Sequence, residues 1–161
     1  MDKRLSYINW FKKVEIEDTG RVAGSTITLD FPVSSSEGMP LVGYYAVDVF
    51  IVCQEWNASI PPQRVPTTQS QTLEVKGSGD SFVVVDISHS YTQGIGMNVS
   101  IYNNSLQGSA IVNVTGEDCS DRKISIRFTG PQTATASVQI SGGYITFKYL
   151  GKQPGDFCSS S

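Results

Sequence analysis

The hydrophobic pattern is densest in residues 41–53, where thirteen consecutive positions include a single charged residue, Asp48. A strand with one solvent-exposed face alternates apolar and polar residues, whereas this stretch is apolar on both faces. It therefore predicts a central strand that is buried on both faces, most clearly between Tyr44 and Val52.

Several other stretches alternate and predict half-buried strands around this centre. Ile27, Leu29 and Phe31 alternate with polar residues, as expected for a strand with one buried face. Residues 72–76 and 81–88 flank a short glycine-rich segment and predict a hairpin whose second arm is mostly covered.

Clusters of glycine, asparagine and serine predict turns between the shorter strands. Residues 89–96 and 103–105 are two such predicted turns. The last third of the chain predicts a three-stranded meander in which Gly142 and Gly143 form one of the turns. Its predicted strands cover residues 124–129, 133–140 and 144–150.

The composition agrees with a fold built from strands. Val and Ile together number 29, while Ala and Leu together number 12, and β-branched side chains suit a pleated sheet better than a helix. The predicted fold class is therefore all-β: an antiparallel β-sandwich, jelly-roll-like, of about ten strands.

The pattern divides the chain into one domain with two flanking segments. Residues 21–151 are the predicted β-sandwich domain. Residues 1–20 are a predicted N-terminal attachment segment, extended or with a short helical turn, and residues 152–161 a flexible tail.

Charge and hydropathy exclude two classes of partner. The formal net charge is −3 and the pI is about 5.0, whereas a nucleic-acid binder needs a basic surface. No segment approaches the roughly 20 apolar residues of a membrane span, and no apolar run at the N-terminus marks a secretory signal. We therefore expect neither nucleic acid nor membrane as a partner.

The sequence offers little for catalysis or metal binding, and we expect no catalytic residue, no metal site and no cofactor. His89 is the single histidine, so neither a histidine-rich metal site nor a clear triad can be built. Three cysteines cannot all pair within one chain; Cys53 is expected to be a buried thiol, and a Cys119–Cys158 disulfide stays open.

Three aromatic residues are the candidate ligand or interface positions. Trp56 begins a predicted long loop over residues 54–71, Tyr91 lies in a predicted turn, and Tyr102 is expected to face away from the core. Such side chains stack on sugar rings, line subunit interfaces or simply pack, and all three roles stay open.

Two stretches resemble a known family. Residues 37–49, Glu-Gly-Met-Pro-Leu-Val-Gly-Tyr-Tyr-Ala-Val-Asp-Val, and residues 142–151, Gly-Gly-Tyr-Ile-Thr-Phe-Lys-Tyr-Leu-Gly, are similar to segments of β-sandwich tip or head domains from tailed-phage fibres. The resemblance implies a virion protein, usually a homotrimer, that decorates the capsid or touches host surface glycan. Residues 1–20 would then attach it to other virion proteins. The family supplies no fixed binding residues.

The expected function is thus a non-enzymatic virion structural protein, a fibre tip or head-decoration domain. A free-standing carbohydrate-binding or adhesin module is the alternative, since such modules also use exposed aromatic side chains on a β-sandwich. A glycan hydrolase on a jelly-roll scaffold is the lesser alternative, because it would require a pair of carboxylates facing across a cleft.

Overall fold

The computed structural model describes residues 10–33, 42–65, 71–78, 81–96, 99–115, 122–130 and 135–151, with side chains except at 89, 91–96 and 99–103. Ten strands and no helix run through these residues. The strands are β1 (Phe11–Glu15), β2 (Val22–Ala23), β3 (Thr26–Pro32), β4 (Gly43–Trp56), β5 (Thr72–Gly77), β6 (Val83–Val84), β7 (Ile87–Gly96), β8 (Val99–Val114), β9 (Lys123–Thr129) and β10 (Ser137–Gly151).

The strands form two antiparallel sheets. The larger sheet has the order β1-β10-β4-β8-β7, with β2 also paired to β10, and the smaller has the order β3-β9-β5-β6. The predicted all-β sandwich of about ten strands is thereby confirmed. None of the described residues belongs to a helix that could span a bilayer.

The core lies between the two sheets, and β4 runs through its middle. Tyr45, Val47, Val49 and Ile51 are at most 1% exposed. They belong to one apolar cluster with the inward side chains of the smaller sheet, including those of Ile124, Ile126 and Phe128. Burying alternate β4 residues against a second sheet is the main source of stability in this architecture.

The opposite face of β4 corrects one sequence prediction. The sequence predicts burial on both sides between Tyr44 and Val52, but within that stretch only the inward side chains are fully buried. Tyr44, Ala46, Phe50 and Val52 are half-buried and Asp48 is exposed. The described part of the chain places a second layer on one face of the larger sheet, so the apolar pattern of the other face has no cover there.

Two predicted turns are wrong, because residues 89–96 and 103–105 lie inside long strands. β7 and β8 pair without interruption from Ile87 opposite Gly108 to Gly96 opposite Val99. β8 is also paired with β4 along residues 104–114, so the sheet itself holds much of this ribbon without apolar alternation in β7. Polar composition was therefore a poor guide to turns here.

The predicted meander in the last third is also wrong. β9 belongs to the smaller sheet, and β10 is one strand of 15 residues in the larger sheet. A register shift between Ile140 and Gly142 places a β-bulge at Ser141 inside β10, and Gly142 and Gly143 follow it opposite Val52 and Ile51. Gly143 has a φ of 135°. A Cβ at Gly143 would overlap the carbonyl oxygen of Phe50, so the glycine permits a close approach of two strands.

The hairpin between β5 and β6 is confirmed, with Glu74 opposite Val84. Its second arm is not mostly covered, however, because Val83 and Val84 are 61% and 62% exposed. The chain leaves the smaller sheet after only these two residues and enters the larger sheet at Ile87. The apolar pattern here marks a crossing between sheets, in which only Val85 is buried.

The sandwich begins before residue 21. β1 pairs with β10 at the edge of the larger sheet, with Phe11 opposite Lys148 and Val14 opposite Ile145. Ile16, which follows β1, belongs to the buried core. The first nine residues and the predicted tail over 152–161 lie outside the described residues, so their predicted roles stay predictions.

Candidate functional site

The larger sheet presents one side to the core and the other away from the smaller sheet, and we call the latter the outer face. The cross-strand register defines it, because successive side chains of a strand alternate between faces. Its members include Phe11, Lys13 and Glu15 on β1, Tyr144, Thr146 and Lys148 on β10, Tyr44, Ala46, Asp48, Phe50 and Val52 on β4, and Gln107, Ser109, Ile111 and Asn113 on β8.

One row across this face exposes large apolar side chains. Phe11 lies opposite Lys148, Lys148 opposite Ala46, and Ala46 opposite Ile111. Phe11 is 60% exposed and Ile111 is 69% exposed. The row therefore carries apolar surface at both ends and a lysine between them.

An aromatic pair lies further along the same face. Phe50 and Tyr144 stack with ring centroids 5.5 Å apart and an interplanar angle of 26°. The Lys13 ammonium lies 4.6 Å from the Tyr144 ring centroid and 3.4 Å from a carboxylate oxygen of Glu15. This end of the face is thus aromatic and locally neutral.

Between the apolar row and the aromatic pair lies Asp48, the single charge of the central apolar stretch. Its carboxylate accepts hydrogen bonds from the hydroxyls of Ser109 and, at 3.5 Å, Thr146 on the two flanking strands. Within the described ranges, neither Asp48 nor Lys148 forms a salt bridge. The outer face therefore carries one acidic and one basic group available to a partner.

The predicted site residue Trp56 ends β4 on the same face. The sequence placed it at the start of a long loop, whereas it is the last residue of the strand and is half-buried. The guanidinium carbons of Arg21 and Arg64 each lie over its ring, 5.3 Å from the centroid. We call Trp56, Arg21, Arg64 and Gln139 the arginine–tryptophan cluster.

Hydrogen bonds hold the Trp56 ring in place. Its Nε1–H donates to Gln139 Oε1 at 3.1 Å, and Gln139 Nε2 donates to Asp18 Oδ1 at 2.8 Å. The backbone N–H of Gly20 also donates to Asp18 Oδ1, at 2.8 Å. The bond from Gln139, followed by that from Gly20, lowers the pKa of Asp18 below its usual range.

The turn after Trp56 is also fixed by hydrogen bonds. Asn57 Oδ1 accepts from the backbone N–H groups of Ser59 at 3.1 Å and Gln63 at 2.9 Å. Trp56 and Arg64 then face each other across an antiparallel bridge. Arg64 is thus a cross-strand neighbour of Trp56, which explains how one of the two guanidiniums reaches the ring.

The other two predicted site residues lie on the ribbon of β7 and β8. Tyr91 is opposite Asn104 and Tyr102 is opposite Gln93, so their backbones belong to strands, not turns. Their side chains lie outside the described residues. Their role as ligand or interface residues stays a prediction.

A buried carboxylate next to Trp56 was missed by sequence reasoning. Glu55 is 2% exposed, and its carboxylate accepts from Gln71 Nε2 at 2.7 Å and Thr135 Oγ1 at 2.6 Å. It also packs against Gly130, where a Cβ would collide with it. Gln54 and Glu55 look like the start of a loop, and only the distant partners reveal that Glu55 is internal.

Reactive groups are not gathered in the described part of the chain. Cys53 is buried as predicted, with Asn104 Nδ2 at 3.6 Å from its sulfur. Burial raises the pKa of this thiol to about 12, so it is protonated at neutral pH and a poor nucleophile. Within the described ranges no three His, Cys, Asp or Glu side chains come together as metal ligands. The His89 side chain, Cys119 and Cys158 lie outside the described residues.

A shallow groove between β1 and β3 has an acidic rim. Its volume is about 280 Å³, and Ile16, Leu29 and Phe31 contribute its apolar lining. The rim carboxylate of Asp30 accepts from Ser125 Oγ at 2.5 Å and Lys123 Nζ at 3.4 Å, and the Ser125 bond chiefly lowers its pKa. Its other rim carboxylates are those of Glu15, Glu17 and Asp18.

Comparisons with known proteins assign no function to the chain. No protein-family model, curated protein or solved structure matches the chain. The two most distinctive surfaces are the outer face and the arginine–tryptophan cluster at its end.

Proposed function

We propose that the protein is a non-enzymatic structural component of a virion, a fibre tip or head-decoration domain, that assembles with copies of itself through the outer face. The observation that supports self-assembly is the exposed apolar surface of that face. Phe11 and Ile111 are more than half exposed, and Tyr44, Phe50 and Val52 are only half-buried on a sheet whose other side forms the core.

Apolar surface of this kind favours a protein partner. Single exposed apolar side chains are ordinary, but contiguous patches on a sheet mark interaction sites. Phe11, Ala46 and Ile111 share one row, and Phe50 with Tyr144 lies two rows further along the same strands. Covering this patch would complete the two-sided burial that the pattern of β4 predicts.

The charges on the face favour a second copy of the same chain as that partner. Lys148 and Asp48 lie one row apart on neighbouring strands, and neither has an ion-pair partner in the described ranges. Two identical faces placed together can pair Lys148 of each copy with Asp48 of the other, as a self-complementary interface requires. A heterologous ring such as a trimer can use the same two groups.

The virion assignment is supported by the resemblance of residues 37–49 and 142–151 to fibre and head-decoration domains. An antibody raised against the protein should label phage particles purified by density gradient from cultures of the source. Recovery of the protein only in fractions free of particles would contradict the virion role. It would leave the self-assembly proposal to its own measurement.

A free-standing carbohydrate-binding or adhesin module is the second candidate. The arginine–tryptophan cluster favours it, because a fixed aromatic ring with polar neighbours is common in glycan sites. This candidate predicts a stable monomer that binds glycan. The proposed function predicts an oligomer, so the molar mass in solution separates the two.

A further inference from the structure

The arginine–tryptophan cluster differs from a neutral sugar platform in one respect. A neutral sugar stacks on a bare aromatic face, but two guanidiniums, those of Arg21 and Arg64, already lie over the Trp56 ring. Each is 5.3 Å from the same centroid, so the two positive charges are at most twice that distance apart. The ring therefore orients cations, and the cations are the groups that face a ligand.

Neither guanidinium is neutralised within the described ranges. Arg127, which stacks on Phe82 on the other sheet, is paired with the Glu74 carboxylate, whereas Arg21 and Arg64 have no such partner there. The carboxylate of Asp18 accepts from Gln139 and Gly20 instead. A guanidinium whose central carbon lies over a ring can still donate from its N–H groups, and these match a carboxylate or sulfate group in a bidentate manner.

The surroundings of the two arginines suit a saccharide. Asn57, Ser59 and Gln63 lie in the short turn between Trp56 and Arg64, and their amide and hydroxyl groups suit sugar hydroxyls. The chain as a whole is acidic, with a net charge of −3, which disfavours an extended polyanion such as nucleic acid. A ligand with spaced anionic groups among hydroxyls fits both observations.

We propose that the arginine–tryptophan cluster binds an acidic saccharide, with Arg21 and Arg64 holding its carboxylate or sulfate group. Trp56 acts as the rigid support that keeps both guanidiniums pointed at the ligand. This inference gives a ligand class to the glycan binding that the cluster favours under the second candidate function, and it rests on that binding alone. It does not depend on whether the chain self-assembles.

The test is isothermal titration calorimetry of the full chain with four probes. They are an oligogalacturonate that carries carboxylates, a heparin-derived oligosaccharide that carries sulfates, neutral maltotetraose, and inorganic sulfate. We expect one or both acidic saccharides to bind, with affinity falling as salt is raised, and the neutral probe not to bind. The acidic probe that binds more tightly identifies the anionic group.

Variants then locate the binding. Arg21→Gln together with Arg64→Gln should weaken binding of the acidic saccharide at least about tenfold. The matching lysine variants should lose less affinity, because lysine keeps the positive charge but lacks the planar guanidinium that donates two parallel hydrogen bonds. Lys76→Gln on the smaller sheet removes one positive charge, so it is the matched control for Arg21→Gln and Arg64→Gln made singly, and it should stay within about twofold of the wild type. Circular dichroism and a thermal melt verify that each variant is folded.

Four results would overturn the proposal. The first two are equal binding of maltotetraose and the acidic saccharides, and equal binding of inorganic sulfate and the saccharides. The other two are unchanged affinity in the double glutamine variant and absence of binding by both acidic probes. Sedimentation of the same samples reports self-assembly separately, so a failure of this site is distinguishable from a failure of the proposed interface.

Discussion

Phe50 on β4 and Tyr144 on β10 stack on the outer face, with ring centroids 5.5 Å apart. Offset aromatic pairs contribute about 0.5–1.5 kcal/mol beyond their buried area. The stack lies next to Gly143, which approaches the Phe50 carbonyl group just after the β10 bulge at Ser141. The absence of a Cβ at Gly143 therefore permits the close approach of the two central strands at this point.

Gly143→Ala is expected to lower the free energy of unfolding by more than about 2 kcal/mol, since the new methyl group meets backbone and the φ of 135° is unfavourable for alanine. Gly142→Ala is the matched control, because a Cβ at Gly142 has open space around it. We expect that change to stay within about 1 kcal/mol. Urea unfolding of both variants checks the prediction, and equal stabilities would contradict the close backbone approach at Gly143.

Glu55→Ala is expected to lower the free energy of unfolding by about 3 kcal/mol. The change leaves Gln71 Nε2 and the Thr135 hydroxyl without their acceptor in a buried site. Glu17→Ala removes an exposed carboxylate and should change stability by no more than about 0.5 kcal/mol. A loss at Glu55 no larger than at Glu17 in denaturant unfolding would show that the buried network does not stabilise the fold.

The Cys53 thiol makes stability depend on pH in the alkaline range. Its pKa is about 12 in the folded chain and about 9.0 when unfolded, so only the unfolded state releases this proton between those values. Stability therefore falls as pH rises above 9.0. Burial also raises the pKa of Tyr45 above its usual 10.0, so between pH 9.0 and 10.0 the thiol makes the larger contribution of the two, and comparison with a Cys53→Ala chain separates it.

The comparison uses two chains that both carry Cys119→Ser and Cys158→Ser, one with Cys53 and one with Cys53→Ala. Raising the pH from 9.0 to 10.0 should lower the free energy of unfolding by about 1 kcal/mol more in the chain that keeps Cys53. The same native chain should resist alkylation by iodoacetamide at pH 8 and react once unfolded. Rapid alkylation of the native protein, or identical pH profiles for the two chains, would contradict the buried state of Cys53.

The strands of the core could be predicted from the sequence because their side chains face a fixed environment. Ile27 and Phe128 alternate with polar neighbours and pair across β3 and β9, and their periodicity alone indicates a buried face. Residues 41–53 likewise indicated the central strand, although one of its faces is covered by no described residue.

The sheet connections could not be predicted, because the same residue types serve turns and interiors. Gly142 and Gly143 resemble a hairpin turn, but pairing with Val52 and Ile51 of β4 carries β10 straight through them, just after a bulge at Ser141. The candidate site was only partly predictable for a similar reason. Trp56 was found as an aromatic residue, whereas Arg21 is 35 positions away in sequence and only the fold brings it to the ring.

The outer face is the centre of this account, and two exposed side chains allow it to be tested without disturbing the core. Phe11→Ser with Ile111→Ser removes apolar surface from both ends of one row. Val83→Ser is the control, because Val83 is similarly exposed but lies on the smaller sheet. Neither variant is expected to change the thermal melting midpoint of the isolated fold by more than a few degrees.

The most direct measurement is sedimentation equilibrium of the wild type and these variants over a range of concentrations. The account predicts a wild-type mass of two or three chains, a monomer for Phe11→Ser with Ile111→Ser, and an unchanged oligomer for Val83→Ser. A wild-type mass of 17.5 kDa at every concentration, or an oligomer that survives the double substitution, would contradict the proposed role of the outer face.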